Sequence, residues 1–178
     1  MIPSNPSPLV QSMIRVNQAG EYGAKRIYEG QLAVLIPSQE RTLVEEMLKQ
    51  EEHHLSLFNE LAHTQNVPLT KLTPLWHYAG FGLGVVSALL GKKALMACTV
   101  AVEDVIDDHY QSQLKKLQSI REDYEPELQS LIDVCHQDEI HHRTIALDHH
   151  AANMPGYDLF KGILKVGIRV AIELSKRF

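Results

Sequence analysis

The chain has 178 residues, with 22 acidic side chains against 17 lysines and arginines, a formal charge of −5 and ten histidines. That length suits one domain with a real core, and the mild acidity argues against a nucleic-acid binder working by phosphate neutralisation. Two cysteines, Cys98 and Cys135, exclude a disulfide scaffold and fit a reducing compartment.

Nearly the whole chain has helical periodicity, and no alternating strand pattern competes with it. Met1–Pro8 has neither the basic nor the apolar stretch of a secretory signal, so none is expected. Residues 1–9 read as irregular because of Pro3, Pro6 and Pro8. A stripe of period near 3.5 then runs through Val10, Ile14, Asn17, Glu21, Ala24, Tyr28 and Leu32 and stops at Pro37. Ser38 is a natural N-cap for a second helix with Val44, Met47, Glu51, His54, Phe58 and Leu61 on one face. Residues 72–91 form an apolar helix with no formal charge and four glycines. A third long helix runs from about Lys93 to Arg121, carrying Met96, Val100, Glu103, Ile106, Tyr110 and Leu117. The fourth starts at Glu125–Pro126 and carries Leu128, Ile132, Cys135, Glu139, His142 and Ala146, until Asn153–Gly156 breaks it. Residues 157–176 make a final basic amphipathic helix. The sum is an all-α, four-helix bundle with a crossover connection and two shorter helices, in one domain over 1–178.

Six residues sit where the stripes call for Leu or Ile: Glu21, Glu51, His54, Glu103, Glu139 and His142. An unpartnered buried carboxylate costs several kcal/mol, against a total domain stability of only about 5–15 kcal/mol. With four facing one core, either the stripes are misread or something cationic sits between them. Glu51 and His54, like Glu139 and His142, are i and i+3 neighbours, so one oxygen and one nitrogen reach the same ion. A faint internal repeat emerges: a helix with one core Glu, then a helix with Glu-x-x-His, twice over. This is the ligand set of dinuclear carboxylate bundles. Four carboxylates balance two divalent ions, bringing the chain from −5 to about −1, and a carboxylate–imidazole set suits iron or manganese. A single Glu-x-x-His is weak evidence on a helix surface; two in register with the stripes are not.

Other residues have plainer readings. His53, His63, His136 and His141 read as exposed, and His77 as interfacial. His109, His149 and His150 lie nearer the centre, in core or supporting roles. Asp138 is placed to hydrogen-bond a ligand histidine, and Cys135 to pack. Tyr110, two turns after Glu103, is the candidate catalytic residue, able to hydrogen-bond substrate or oxidant; a core tyrosine is the bland alternative.

At these positions the sequence becomes recognisable. Arg15-Val-Asn-Gln-Ala-Gly-Glu21-Tyr-Gly-Ala24, Gln50-Glu51-Glu-His-His54, Ala97-Cys-Thr-Val-Ala-Val-Glu103 and Asp138-Glu139-Ile-His-His142 closely resemble the demethoxyubiquinone hydroxylase family of ubiquinone biosynthesis. So does the tail Gly167-Ile-Arg-Val-Ala-Ile-Glu173-Leu-Ser175, and the likeness covers nearly everything from Met13 onward. The resemblance implies a ferritin-like fold and two iron ions held by Glu21, Glu51, His54, Glu103, Glu139 and His142. It also implies O2-dependent hydroxylation of a polyprenyl quinol ring, with electrons from NADH. No Gly-x-Gly-x-x-Gly dinucleotide motif follows a strand, so NADH has no Rossmann site here. The implied partners are the quinol, a membrane lipid surface and other ubiquinone-biosynthesis proteins.

Two segments suit a membrane surface. Residues 72–91 are long enough to span in principle, but Pro74, His77 and the glycines favour an interfacial or partly buried helix. The last helix sets Lys161, Lys165 and Arg169 at i, i+4 and i+8 beside Phe160, Ile163, Gly167, Val170 and Leu174, a pattern that lies in headgroups. Both helices packed on their own bundle is the competing reading. A polyprenyl substrate favours a peripheral membrane enzyme on the cytoplasmic face of the inner membrane. Three rivals share parts of this pattern: a ferroxidase or iron-storage bundle, a di-iron hydroxylase of another substrate, and a metal-free helical adaptor.

Overall fold

The computed structural model describes residues 6–119 and 125–178. Among them there are six α-helices and no strand: α1 Pro8–Val34, α2 Gln39–Thr64, α3 Thr73–Leu89, α4 Lys92–Ser119, α5 Pro126–Asp148 and α6 Tyr157–Arg177. The expected end of the third long helix at Arg121, like Pro3, lies outside the described residues.

The helix ends follow from local chemistry. Pro8, assigned above to an irregular start, is instead the first residue of α1, because a missing N–H costs nothing in a first turn. The Ser7 side chain accepts from the Val10 amide at 3.3 Å. Ser38 caps α2 in the same way, accepting from the Arg41 amide at 3.2 Å. Arg41 then turns back and donates to the Leu32 and Leu35 carbonyls at 2.9 and 2.7 Å, satisfying acceptors that the end of α1 leaves free. Gly156, at φ 73°, takes the left-handed conformation that swings the chain into α6.

α1 and α2 form one hairpin and α4 and α5 another. Contacts of α2 with α5 and of α1 with α4 close the bundle. This is the ferritin-like arrangement, with α3 inside the crossover from one hairpin to the other. α1 and α4 run antiparallel, since Asn17 meets Gln113, Glu21 meets Tyr110 and Tyr28 meets Glu103. The core falls into two apolar layers. Val10, Ile14, Phe58, Leu61, Leu128 and Ile132 belong to one; Val44, Met47, Leu95, Met96 and Val100 belong to the other. The polar residues of the four stripes lie midway along their helices, between the layers.

α3 packs on α1 and α6 packs on α4 and α1. The α1–α3 contact is backbone to backbone: a Cβ on Gly30 would stand 2.1 Å from the Phe81 carbonyl oxygen, and one on Gly84 2.0 Å from that of Ile27. The outward faces of α3 and α6 are apolar, with Tyr78 76%, Leu89 71%, Leu159 71% and Ile163 63% exposed. No described helix is long and apolar enough to cross a membrane.

Lys161 and Lys165 of the α6 basic stripe fold back onto α4 rather than facing outward as the pattern suggested, whereas Arg169 stays exposed. Lys161 and Lys165 reach Asp104 of α4 at 3.4 and 3.2 Å, and Arg169 reaches Asp108 at 3.0 Å. Phe160, Leu164 and Ile168 pack on the core, which sets the roll of the helix together with these pairs, while Ile163, Val166 and Val170 face away.

Candidate metal centre

All six residues singled out by the stripes converge in the polar layer, none more than 1% exposed. Their donor atoms form two overlapping groups, each with one ligand atom per residue and all of these within 4.8 Å of one another. Glu21, Glu51, His54 and Glu139 make one; Glu51, Glu103, Glu139 and His142 make the other. Glu51 and Glu139 therefore belong to both, whereas Glu21 and Glu103 each belong to one.

The two histidines are aimed by residues outside the cage. His54 turns Nδ1 inward, 3.5 Å from Glu21 and 3.4 Å from Glu139, while its Nε2 meets Asp138 at 2.9 Å. His142 turns Nδ1 toward Glu51 and Glu139, at 3.3 and 3.2 Å, while its Nε2 meets Gln50 at 2.7 Å. Such outer contacts fix the tautomer and orientation of a ligating imidazole. Asp138 was foreseen. Gln50 was not, although it precedes Glu51 as Asp138 precedes Glu139, so the internal repeat already pointed to it.

Tyr110 donates to Glu21 Oε1, which places the candidate catalytic tyrosine against the cage. Tyr28, unassigned in the sequence, donates to Glu103 Oε1 at 2.9 Å. Burial and the neighbouring carboxylates push both phenols well above their ordinary pKa, so each remains a donor.

The cage concentrates negative charge. Burial, reinforced by the charge of Glu139, drives the Glu51 and Glu103 carboxyls well above the usual range. Burial opposes ionisation of Glu139 too, but the hydrogen bond with His142 and the nearby His54 imidazole overcome it and hold its pKa at about 2. Burial likewise disfavours a charged His54, yet Glu139 and Glu21 raise it to about 12. Several inward atoms have no hydrogen-bond partner among the described residues: Glu21 Oε2, both Glu51 oxygens, Glu103 Oε2, Glu139 Oε1 and His54 Nδ1. Orphaned acceptors at this depth are costly in a native protein. Here they converge in two sets of oxygen and nitrogen donors, which is what two cations require.

The remaining histidines separate from this group. His53, His63, His141 and His150 are exposed. His136 is buried, contrary to expectation, because Asp107 of α4 takes its Nε2 at 2.6 Å. His109 joins Asn17 and Gln113 in a polar knot between α1 and α4, and burial together with Lys176 lowers its pKa to about 4. His77 meets Tyr22 at 2.7 Å. Cys135 is fully buried in the core, although its sulfur also lies within 4.8 Å of ligand atoms of Glu21 and His54.

A cavity of about 400 Å³ is lined by residues next to Glu21 and Glu103 in sequence, while none of the six cage residues lines it. Gly20, Gly23 and Ala24, around Glu21, and Val102 and Ile106, flanking Glu103, form its inner side. Ala79 and Gly80 of α3 with Ile163 and Gly167 of α6 form the outer side. The lining is almost wholly apolar.

Fold and site together define a class: helical bundles that enclose a carboxylate–histidine cage assembled from two similar hairpins. Residues 8–175 match the model of the family described as ubiquinone biosynthesis protein COQ7, and the chain belongs to that family. It is 48% identical over 169 residues to the NADPH-dependent 3-demethoxyubiquinone 3-hydroxylase, mitochondrial, of Dictyostelium discoideum, covering 95% of this chain and 77% of the relative. The human protein of the same name is 47% identical over 168 residues, with 94% and 77% covered. The 3-demethoxyubiquinol 3-hydroxylase of Rhodospirillum rubrum is 44% identical over 179 residues, with 99% and 82% covered.

Proposed function

We propose that this chain is an O2-dependent monooxygenase that hydroxylates the ring of a demethoxyubiquinol in ubiquinone biosynthesis. The six cage residues would hold two iron ions, with Glu51 and Glu139 available to both donor groups and Glu21 and Glu103 to one each. The observation that carries this is the pair of overlapping donor groups beside an apolar cavity, in a chain whose relatives are named for this hydroxylation.

Two ferrous ions in the cage would supply the electrons and the oxygen-activating chemistry. The protein supplies position and dryness. Asp138 and Gln50 hold the imidazoles in register, and Tyr28 and Tyr110 hold the end carboxylates. The cavity would take the quinol ring on the side toward Glu21 and Glu103, where the apolar side chains of Ile27, Val102 and Ile106 line it. Tyr110 keeps its hydroxyl on Glu21 and does not line the cavity, so it would act on the reacting ring only through that carboxylate. One oxygen atom would enter the ring and the other leave as water, with two electrons and one proton delivered by a reduced nicotinamide and the second proton taken from solvent.

An isoprenoid tail fits this geometry. The outer side of the cavity is made by α3 and α6, the helices with outward apolar faces, so a membrane-dissolved quinol enters sideways between them. On this reading the chain is a peripheral protein on the cytoplasmic face of the inner membrane.

The test loads the protein anaerobically with Fe(II) and adds a demethoxyquinol, O2 and either NADH or NADPH. The product should gain one oxygen atom, labelled by 18O2 and not by water. Two bound irons without that mass gain would sink the substrate assignment. The Glu139→Ala variant should lose both irons and all turnover; retained turnover would contradict the cage.

A further inference from the structure

Glu21 and Glu103, the carboxylates belonging to one donor group each, are tied by a crossed pair of tyrosines. Tyr28 stands seven residues after Glu21 on α1 and donates to Glu103 on α4 at 2.9 Å. Tyr110 stands seven residues after Glu103 on α4 and donates to Glu21 on α1. Seven residues are about two helical turns, so in each half the tyrosine sits the same distance along the helix from its own glutamate. Each serves the glutamate of the opposite half.

Both rings are nearly inaccessible, at 2% and 1%. Tyr28 also packs edge-on against the His142 ring, with centroids 6.3 Å apart. In each glutamate the phenol occupies one oxygen and leaves the other, Glu21 Oε2 or Glu103 Oε2, without a partner. A carboxylate tied in this way presents one oxygen to the cage and cannot swing away.

We propose that Tyr28 is a positioning residue: its hydroxyl holds Glu103 so that Oε2 faces the ion shared with Glu51, Glu139 and His142, as Tyr110 holds Glu21 at the other ion. This rests on the two-ion reading given above. The consequence is selective, because removing one hydroxyl loosens one ion's end ligand and leaves the other's intact.

The experiment compares wild type, Tyr28→Phe and Tyr110→Phe, each titrated anaerobically with 57Fe(II). Mössbauer spectra follow the two irons, and anomalous scattering from crystals gives the occupancy beside each end glutamate. In Y28F the ion beside Glu103 should bind roughly tenfold more weakly, as when outer-sphere partners of a ligand are lost, while the ion beside Glu21 keeps its occupancy. Y110F should show the reverse. A packing role alone would lower thermal stability without changing the ratio of occupancies.

Equal occupancies and unchanged spectra in Y28F, with two irons in wild type, would overturn the proposal and leave the two-ion reading intact. Fewer than two irons in wild type would take down both. If Y28F does not fold, wild type carrying 3-fluorotyrosine is titrated with Zn(II). The 19F signal of Tyr28 should move as the ion beside Glu103 binds; a signal unmoved at two zinc ions per chain overturns the proposal.

Discussion

Adding one methyl group at Gly84 should separate α3 from α1, and the size of the effect can be worked out from the contact. A Cβ there would stand 2.0 Å from the Ile27 carbonyl oxygen and 2.9 Å from the Gln31 nitrogen. Carbon–oxygen contacts settle at about 3.3 Å or more, so the helices must part by roughly 1 Å. The obstructing atoms are backbone, and no rotamer change relieves them. Overpacking of this kind costs about 1–3 kcal/mol. Alanine returns about 1 kcal/mol through its better helix propensity, so the net loss for Gly84→Ala is at most about 2 kcal/mol unless α3 detaches. Gly82, in the same helix, meets nothing within 4 Å. Gly82→Ala therefore receives only the propensity gain and should stabilise by up to about 1 kcal/mol. Urea unfolding followed by circular dichroism measures both. Equal shifts for the two variants would refute the close backbone contact, and with it the placement of α3 as a wall of the cavity.

Gln50→Leu removes the partner of His142 Nε2, and iron affinity should fall about 10–100-fold; anaerobic titration against a chelator reads this, and unchanged affinity would remove Gln50 from the site. Asp107 lies half within the bundle, where burial raises its pKa but His136, Gln111 and Arg143 lower it further, for a net decrease. The folded protein then binds fewer protons than the unfolded chain, so this contribution exists above the unfolded value of about 3.9 and is lost as pH falls through the lower folded value. Asp107→Asn should cost about 1–2 kcal/mol at pH 7 and little in strong acid; a gap that persists at low pH would contradict the assignment. On α6, Leu159→Glu with Val166→Glu should lower binding to lipid vesicles at least tenfold, since each buried aliphatic group contributes about 1.5–3 kcal/mol. Turnover of a short-chain quinol should not change, and flotation equal to wild type would disprove docking through this face.

The site was legible because it violates a rule the rest of the chain obeys. Four helical stripes carry carboxylates at core positions, and that contradiction has only a few physical resolutions. Helix ends were legible for the same local reasons that make them: Ser38, Pro37 and Gly156 act within a few residues. Partners across helices were not. Tyr28 sits on an apolar stripe and reads as core; only its hydroxyl, aimed at a glutamate 75 residues away, sets it apart. His136 reads as exposed because nothing in α5 announces Asp107. The roll of α6 was missed because Lys161, Lys165 and Arg169 carry the signature of a headgroup-facing stripe, while the acids that capture them belong to α4. Long-range pairing of this sort leaves no periodic trace in one sequence.

The two donor groups divide unevenly between the halves of the chain. Glu21, Glu51 and His54 come from the first hairpin and need Glu139 from the second; Glu103, Glu139 and His142 need Glu51 from the first. Neither hairpin can complete a site alone. Each loaded ion would therefore act as a cross-link between segments distant in sequence, and free energy of binding would become free energy of association between hairpins. Loss of the ions would weaken the seam between the two halves, which the apolar layers alone would then hold. Metal binding would then add to resistance against proteolysis, by stabilising the folded state over the opened one.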